Sequence, residues 1–205
     1  MSVPSLLICG FRSFPAAPRN PAAEAVGALR AQAWTPIGVA TRYLSIPVDW
    51  EGSVETVKAE LREAPVDGVL LVGVAVKAEG FRVETQARNR TSTTTPDDRG
   101  ALRPDQAVSL AAPACLPTTS PTAAMVEAVA RLGLPAAASD DAGDYLCNFT
   151  LYRLLERRGA DRIGFLHVPQ VREFDAAAAF TLAHVVEAVR AAAQALATDL
   201  ARRKA

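Results

Sequence analysis

Cysteine, histidine and long apolar stretches are all scarce in this chain. Three cysteines, Cys9, Cys115 and Cys147, stand at irregular intervals among 205 residues. They are too few for a disulfide framework and too scattered for a zinc site, so a reduced protein is expected. With only two histidines, a metal centre would need mostly carboxylates, and no metal or other cofactor is expected. The longest apolar run covers residues 68–76, far short of the roughly 20 residues that cross a bilayer as a helix. The N-terminus has no charged segment leading into a long apolar core, so no secretory signal is expected and the chain is read as cytoplasmic. Neither sign of charge is in excess, since Lys+Arg and Asp+Glu each total 22. Without a basic field, nucleic acid and anionic membrane are not expected partners.

What is present is ordinary globular composition, 50% hydrophobic and 21% charged. No repeat or linker interrupts the chain, and its length suits one domain over residues 1–205. Residues 5–9 form an apolar run closed by Gly10, the pattern of a buried strand. Asn20-Pro21 opens a helix to about residue 32, with Asn as N-cap and Pro in the first turn. Residues 41–46 suit a second strand. Ser53 caps a helix whose apolar positions Val54, Val57, Leu61 and Ala64 keep helical spacing up to Pro65. Residues 66–76 read as a central strand and 107–112 as another. Ser120-Pro121 begins a helix that stops at Gly133. A polar turn over 139–143 leads into a helix to about Arg158, with Gly159 beyond it. Residues 162–168 are a strand, and 174–203 a long helix with the stripe Leu182, Val186, Val189, Ala193, Leu196 and Leu200. His184 falls beside that stripe, facing solvent.

Strands alternating with helices predict a three-layer α/β/α fold around a mostly parallel twisted sheet. Sites in such folds form where strand ends meet helix starts. The polar, Thr-rich stretch 88–102 breaks the alternation and reads as a long loop or lid.

Two residues suggest chemistry. Cys147 lies near the start of the helix after the 139–143 turn, where unpaired N–H groups and the macrodipole favour a thiolate. His167 ends the strand 162–168, at a point from which an imidazole can enter a cleft above the sheet. Together they form a nucleophile and base for acyl transfer, and a carboxylate behind the imidazole would fix its tautomer. The competing reading is structural, because free cysteine is among the most buried residue types and a strand-end histidine often serves the framework. Cys9 and Cys115 are read as packing cysteines.

The context of these residues is more specific. Ser139-Asp140-Asp141-Ala142-Gly143-Asp144-Tyr145-Leu146-Cys147-Asn148, with Tyr152 four residues on, resembles the nucleophile segment of the pyroglutamyl-peptidase I (pyrrolidone-carboxylate peptidase) family. Gly164-Phe165-Leu166-His167-Val168-Pro169 is similar to that family's histidine strand. Gly10-Phe11, Phe14 and Asn20-Pro21 resemble its N-terminal strand and loop. Gly73-x-Ala75, followed by Glu84, Ala87 and Asn89, resembles the segment carrying its acidic residue. The helix over 121–133 is similar as well.

The resemblance implies a Cys147–His167–Glu84 triad that hydrolyses the amide bond after an N-terminal pyroglutamate. It also implies that Phe11 and Phe14 clasp the lactam, while main chain at Val74, Tyr145 and Leu146 bonds its N–H and C=O. Peptides with a blocked N-terminus are the implied partners, and a homotetramer the implied assembly. Read without the resemblance, Phe11 and Phe14 are core aromatics and Glu84 is a solvated surface carboxylate. The chain departs from the family at Pro15-Ala16, Val76-Lys77-Ala78, Thr85 and Ser92-Thr93-Thr94-Thr95. These departures bear on specificity, and they keep open a same-fold cysteine amidase with another N-terminal specificity. A non-catalytic binding or assembly module is the third possibility.

Overall fold

The computed structural model describes residues 3–204. Its six-stranded sheet contains β1 (Ser5–Phe11), β2 (Ala40–Ile46), β3 (Gly68–Val74), β4 (Phe81–Glu84), β7 (Ala136–Ser139) and β8 (Arg162–Val168), in the order β2-β1-β3-β8-β4-β7. All neighbours are parallel except β4 and β8, which run antiparallel. A separate antiparallel pair joins β5 (Gln86–Arg88) to β6 (Cys115–Pro117).

Strand periodicity assigns the side chains to two cores. Leu6 and Ile8 of β1, Leu70 and Val72 of β3, and Leu166 and Val168 of β8 face one core. That core is closed by α1 (Pro21–Ala31), α3 (Thr122–Ala130) and α5 (Leu182–Lys204). Leu7, Cys9, Phe11, Val69, Leu71 and Phe165 face the other, beneath α2 (Gly52–Glu63) and α4 (Leu146–Arg157). The fold is therefore the expected α/β/α sandwich. Strand order reverses between β1 and β3, and a crevice at their carboxyl ends is where such sheets bind ligands.

Several local expectations are corrected. Residues 107–112 form turns, with Leu110 77% exposed. Their polar backbone is held by Asn89, which accepts from Ser109 N–H at 2.9 Å and donates to its carbonyl at 2.9 Å. The last helix starts at Leu182, eight residues later than expected, because a reciprocal cap fixes its end: His184 N–H donates to Thr181 Oγ1, and Thr181 N–H to His184 Nδ1. Ser53 is inside α2 with a buried hydroxyl that has no partner among the described residues, and Asp49 accepts from Gly52 N–H in its place. Cys115 is exposed, so it is not a packing cysteine, whereas Cys9 is buried. The helix α4 ends at Arg157, as expected, with Arg158 as its left-handed cap. The strands β4, β5, β6 and β7 were not foreseen.

Asn20 connects the first strand to the site. It is fully buried, caps α1 by accepting from Ala22 N–H, and donates to the carbonyls of Phe11 and Arg12 at 3.0 and 2.9 Å. Asn20→Ala removes the cap and strands two carbonyls, so it should lower the unfolding free energy by about 2–4 kcal/mol. Urea denaturation showing a loss below about 0.5 kcal/mol would refute this account of the turn.

Candidate active site

The alternation that builds the two cores also decides which polar groups meet. His167 follows Phe165 by two residues, so both share the α4 face of the sheet. The imidazole lies against the Phe165 ring, with centroids 4.5 Å apart. Gly73 is on the same face of β3, two residues beyond Leu71. In β4, Phe81 and Val83 enter the opposite core, which leaves Arg82 and Glu84 facing α4. Because β4 is antiparallel to β8, Arg82 is directly across from His167, and Glu84 is its diagonal neighbour.

Glu84 reaches along that diagonal. Its Oε1 is 2.7 Å from His167 Nδ1, and the carboxylate is fully buried. The reading of Glu84 as a solvated surface residue is therefore wrong, since a four-residue strand carries it beneath the cavity. An ionised carboxylate only accepts, so this bond puts the ring proton on Nδ1 and leaves Nε2 as the free acceptor. Glu84 Oε2 has no hydrogen-bond partner among the described residues.

Cys147 is the second residue of α4 and lines the same cavity as His167. Its neighbour below is Gly73, where an added Cβ would stand 2.9 Å from Sγ and 2.8 Å from Phe165 Cζ. Only glycine fits under the sulfur. The helix start was expected to favour the thiolate. Instead, burial and then the negative charge of Glu84 push the thiol up from 9.0 to about 12, against a smaller opposing hydrogen bond from its own backbone N–H. No hydrogen bond links Sγ to the imidazole among the described residues, and catalytic contacts of this kind commonly tighten only when substrate binds.

The five residues anticipated to hold a substrate, Phe11, Phe14, Val74, Tyr145 and Leu146, all line this cavity. Phe11 is only 3% exposed and packs on Phe165 at 6.2 Å, so it serves the core as well. Phe14 is half-buried, 6.2 Å from Tyr145, which in turn meets Trp50 edge-on at 5.3 Å. Val48 and Arg82 also line the cavity and were not anticipated, because nothing in their local sequence marks them; Ala75 and Asp141, from the family-like segments, line it as well.

The turn before Cys147 is braced from outside. Arg90 grips both oxygens of Asp141 at 2.7 and 2.8 Å, and Asp141 accepts from Gly143 N–H at 3.0 Å. Burial tends to raise the Asp141 carboxyl, but that N–H and the Arg90 and Arg88 guanidinium groups outweigh it and hold it low. Asn148 donates to the carbonyls of Arg88 and Arg90 and accepts from Arg88 N–H, tying α4 to the same loop. The Thr-rich stretch is similarly tethered: Ser92 N–H donates to Asp144 O, and Tyr145 Oη donates to Pro96 O at 2.9 Å.

Among the departures, Val76, Lys77 and Ala78 line a second cavity next to this one in the chain, while Thr85 donates to Ser139 O through its N–H and hydroxyl and accepts from Thr118 at its carbonyl. Among the described residues no group of three or more His, Cys, Asp or Glu is placed to hold a metal, and no helix is long and apolar enough to cross a membrane.

A sequence model for pyroglutamyl peptidase matches residues 4–199. A pyrrolidone-carboxylate peptidase of Clavibacter michiganensis is 34% identical over 174 residues, covering 83% of this chain and 81% of its own. One from Streptococcus pneumoniae is 31% identical over 172 residues, covering 82% and 79%. The crystal structure of pyroglutamyl peptidase I from Bacillus amyloliquefaciens superposes with a TM-score of 0.87 at 25% identity, covering 96% of each chain.

Two outcomes test this geometry. Gly73→Ala should displace the sulfur and cost roughly 10²-fold in turnover with the fold retained by circular dichroism; unchanged kcat would refute the contact. The second concerns charge. A thiol held high by burial and Glu84 should be alkylated ever faster as pH rises beyond 9.0. Glu84→Gln removes a charge that raises it, so the profile for Cys147 should move to lower pH when read in a Cys115→Ala background. A shift the other way would mean that the resting site is already a thiolate–imidazolium pair.

Proposed function

Because this chain belongs to the pyroglutamyl peptidase family, we propose that it is a cysteine exopeptidase that frees N-terminal pyroglutamate (5-oxoproline) from peptides through Cys147, His167 and Glu84. The observation that carries the assignment of residues is the buried 2.7 Å contact between Glu84 and His167 Nδ1, beneath the cavity that Cys147 also lines. A carboxylate enclosed behind an imidazole has little structural use that an apolar residue would not serve better.

In this reading Nε2 takes the proton from the Cys147 thiol as sulfur attacks the carbonyl carbon of the pyroglutamyl amide. Negative charge moves to the carbonyl oxygen, which the unpaired N–H groups at the start of α4 are placed to receive. Among the described residues no side chain caps α4 at that end. Collapse breaks the C–N bond, and His167 returns the proton to the departing amine. A thioester remains on Cys147. Water attacks it, again losing a proton to His167, and pyroglutamic acid leaves as the thiol is restored. Glu84 holds the ring orientation and stabilises the imidazolium in both halves. The flat lactam is held by the half-buried face of Phe14 and the edge of Phe11, with main chain at Val74, Tyr145 and Leu146 bonding its N–H and C=O. The high resting thiol suits this scheme, since proton transfer is then coupled to attack.

Pyroglutamyl-aminomethylcoumarin should be cleaved while the alanyl and prolyl analogues are not; preference for another blocked amide would favour the amidase reading, and no turnover the binding-module reading. His167→Ala should lose about 10²–10⁴ in kcat, and Glu84→Gln less. The double variant should be little worse than His167→Ala, because members of one unit are not additive. Near-normal kcat in Glu84→Ala beside an inactive His167→Ala would reduce the unit to a dyad.

A further inference from the structure

Arg82 is the cavity residue that the proposed chemistry does not use. It lies opposite His167 in the β4–β8 register, and its side chain shares the α4 face with Glu84. It lines the cavity with Cys147, yet its Nε is buried with no hydrogen-bond partner among the described residues, and it joins none of their ion pairs. The other charged group at the cavity wall, Asp141, is already neutralised by Arg90 and Arg88. A guanidinium is always charged and presents a planar fork of donors, and half-buried Arg82, with its Nε enclosed, has no anion to complete that fork among the described residues.

The mechanism gives that anion a place. His167 protonates the departing amine, so the residue bearing that nitrogen must lie on the His167 side of the cavity, away from Phe14. Arg82 is the cation on that side. We propose that Arg82 is a specificity residue that binds a carboxylate on the first residue of the leaving group. The inference rests on the function proposed above. The carboxylate is either the α-carboxylate of a pyroglutamyl amino acid or the side chain of an acidic residue following pyroglutamate.

Matched substrates test this. The wild-type enzyme is compared on pyroglutamyl-alanine against pyroglutamyl-alaninamide, and on pyroglutamyl-glutamic α-amide against its glutamine counterpart. A charge-assisted bond should favour the acid in at least one pair by roughly ten- to a hundredfold in kcat/KM, and the pair that responds identifies the source. Arg82→Gln should bring that ratio close to one. Arg82→Lys should keep part of it, since an ammonium has charge without the fork. If Arg82→Gln does not fold, the wild-type ratio and Arg82→Lys still decide.

No preference in the wild type, or one that survives Arg82→Gln, overturns the proposal. So does a fall in kcat that is equal for acid and amide, which would make Arg82 a positioning residue for Glu84 and His167. The same ligand pairs titrated calorimetrically into Cys147→Ala read the preference without turnover. An enzyme that cleaves no pyroglutamyl amide therefore refutes the function, while equal affinity for acid and amide refutes the role of Arg82.

Discussion

A carboxylate with no exposed surface, bonded at 2.7 Å to an imidazole, is the constraint on which the site depends. Removing an ionised group from water is expensive, and only a paired, well-oriented partner offsets it. Here the pairing depends on strand direction. β4 enters the sheet antiparallel to β8, which sets Arg82 rather than Glu84 across from His167. Glu84 then falls on the diagonal, where a side chain of its length reaches Nδ1 along the face. In a parallel β4 the two residues would run in the opposite order past the histidine. The reversal of strand direction between β8 and β4, which β7 shares, therefore determines the polar arrangement of the cavity.

The sulfur obeys a different balance. The start of α4 offers a dipole and unpaired N–H groups, both favourable to negative charge. Enclosure by Gly73, Phe165 and the cavity wall acts against it, and Glu84 adds like-signed repulsion, so the thiol is held up to about 12. The same negative charge that opposes a resting thiolate would stabilise an imidazolium. In the proposed reaction it thus favours the state reached after proton transfer over the free thiolate. Local rules about helix ends do not contain this trade, because it is set by what packs across the crevice.

The cavity is also asymmetric. Its apolar side comes from the end of β1 and the turn before α4, where Phe11, Phe14, Tyr145 and Leu146 meet. Its polar side comes from β4 and β8. Around it, Asn20, Asn148, Arg90 and Tyr145 spend their hydrogen bonds on loop carbonyls and on Asp141, so the loops are tethered rather than loose. This asymmetry matches a substrate that is flat and apolar on one side of its scissile bond and peptide-like on the other.

The sequence alone determined the α/β class and the strands β1, β3 and β8, because strands buried on both faces must be continuous apolar runs. It also marked Cys147 and His167, through motifs around a helix start and a strand end. It did not reveal β4 or β7, whose four residues each are too few to show a period. It misread residues 107–112, where apolar composition without a partner strand gives only turns, and it extended the last helix across a loop that Thr181 and His184 cap off. Only the tertiary structure decided that Glu84 is buried, that Arg82 faces the cavity, and that the Cys147 thiol is raised rather than lowered. Each of those properties arises from neighbours distant in the chain, and burial and charge are set by the packed surroundings rather than by the local segment.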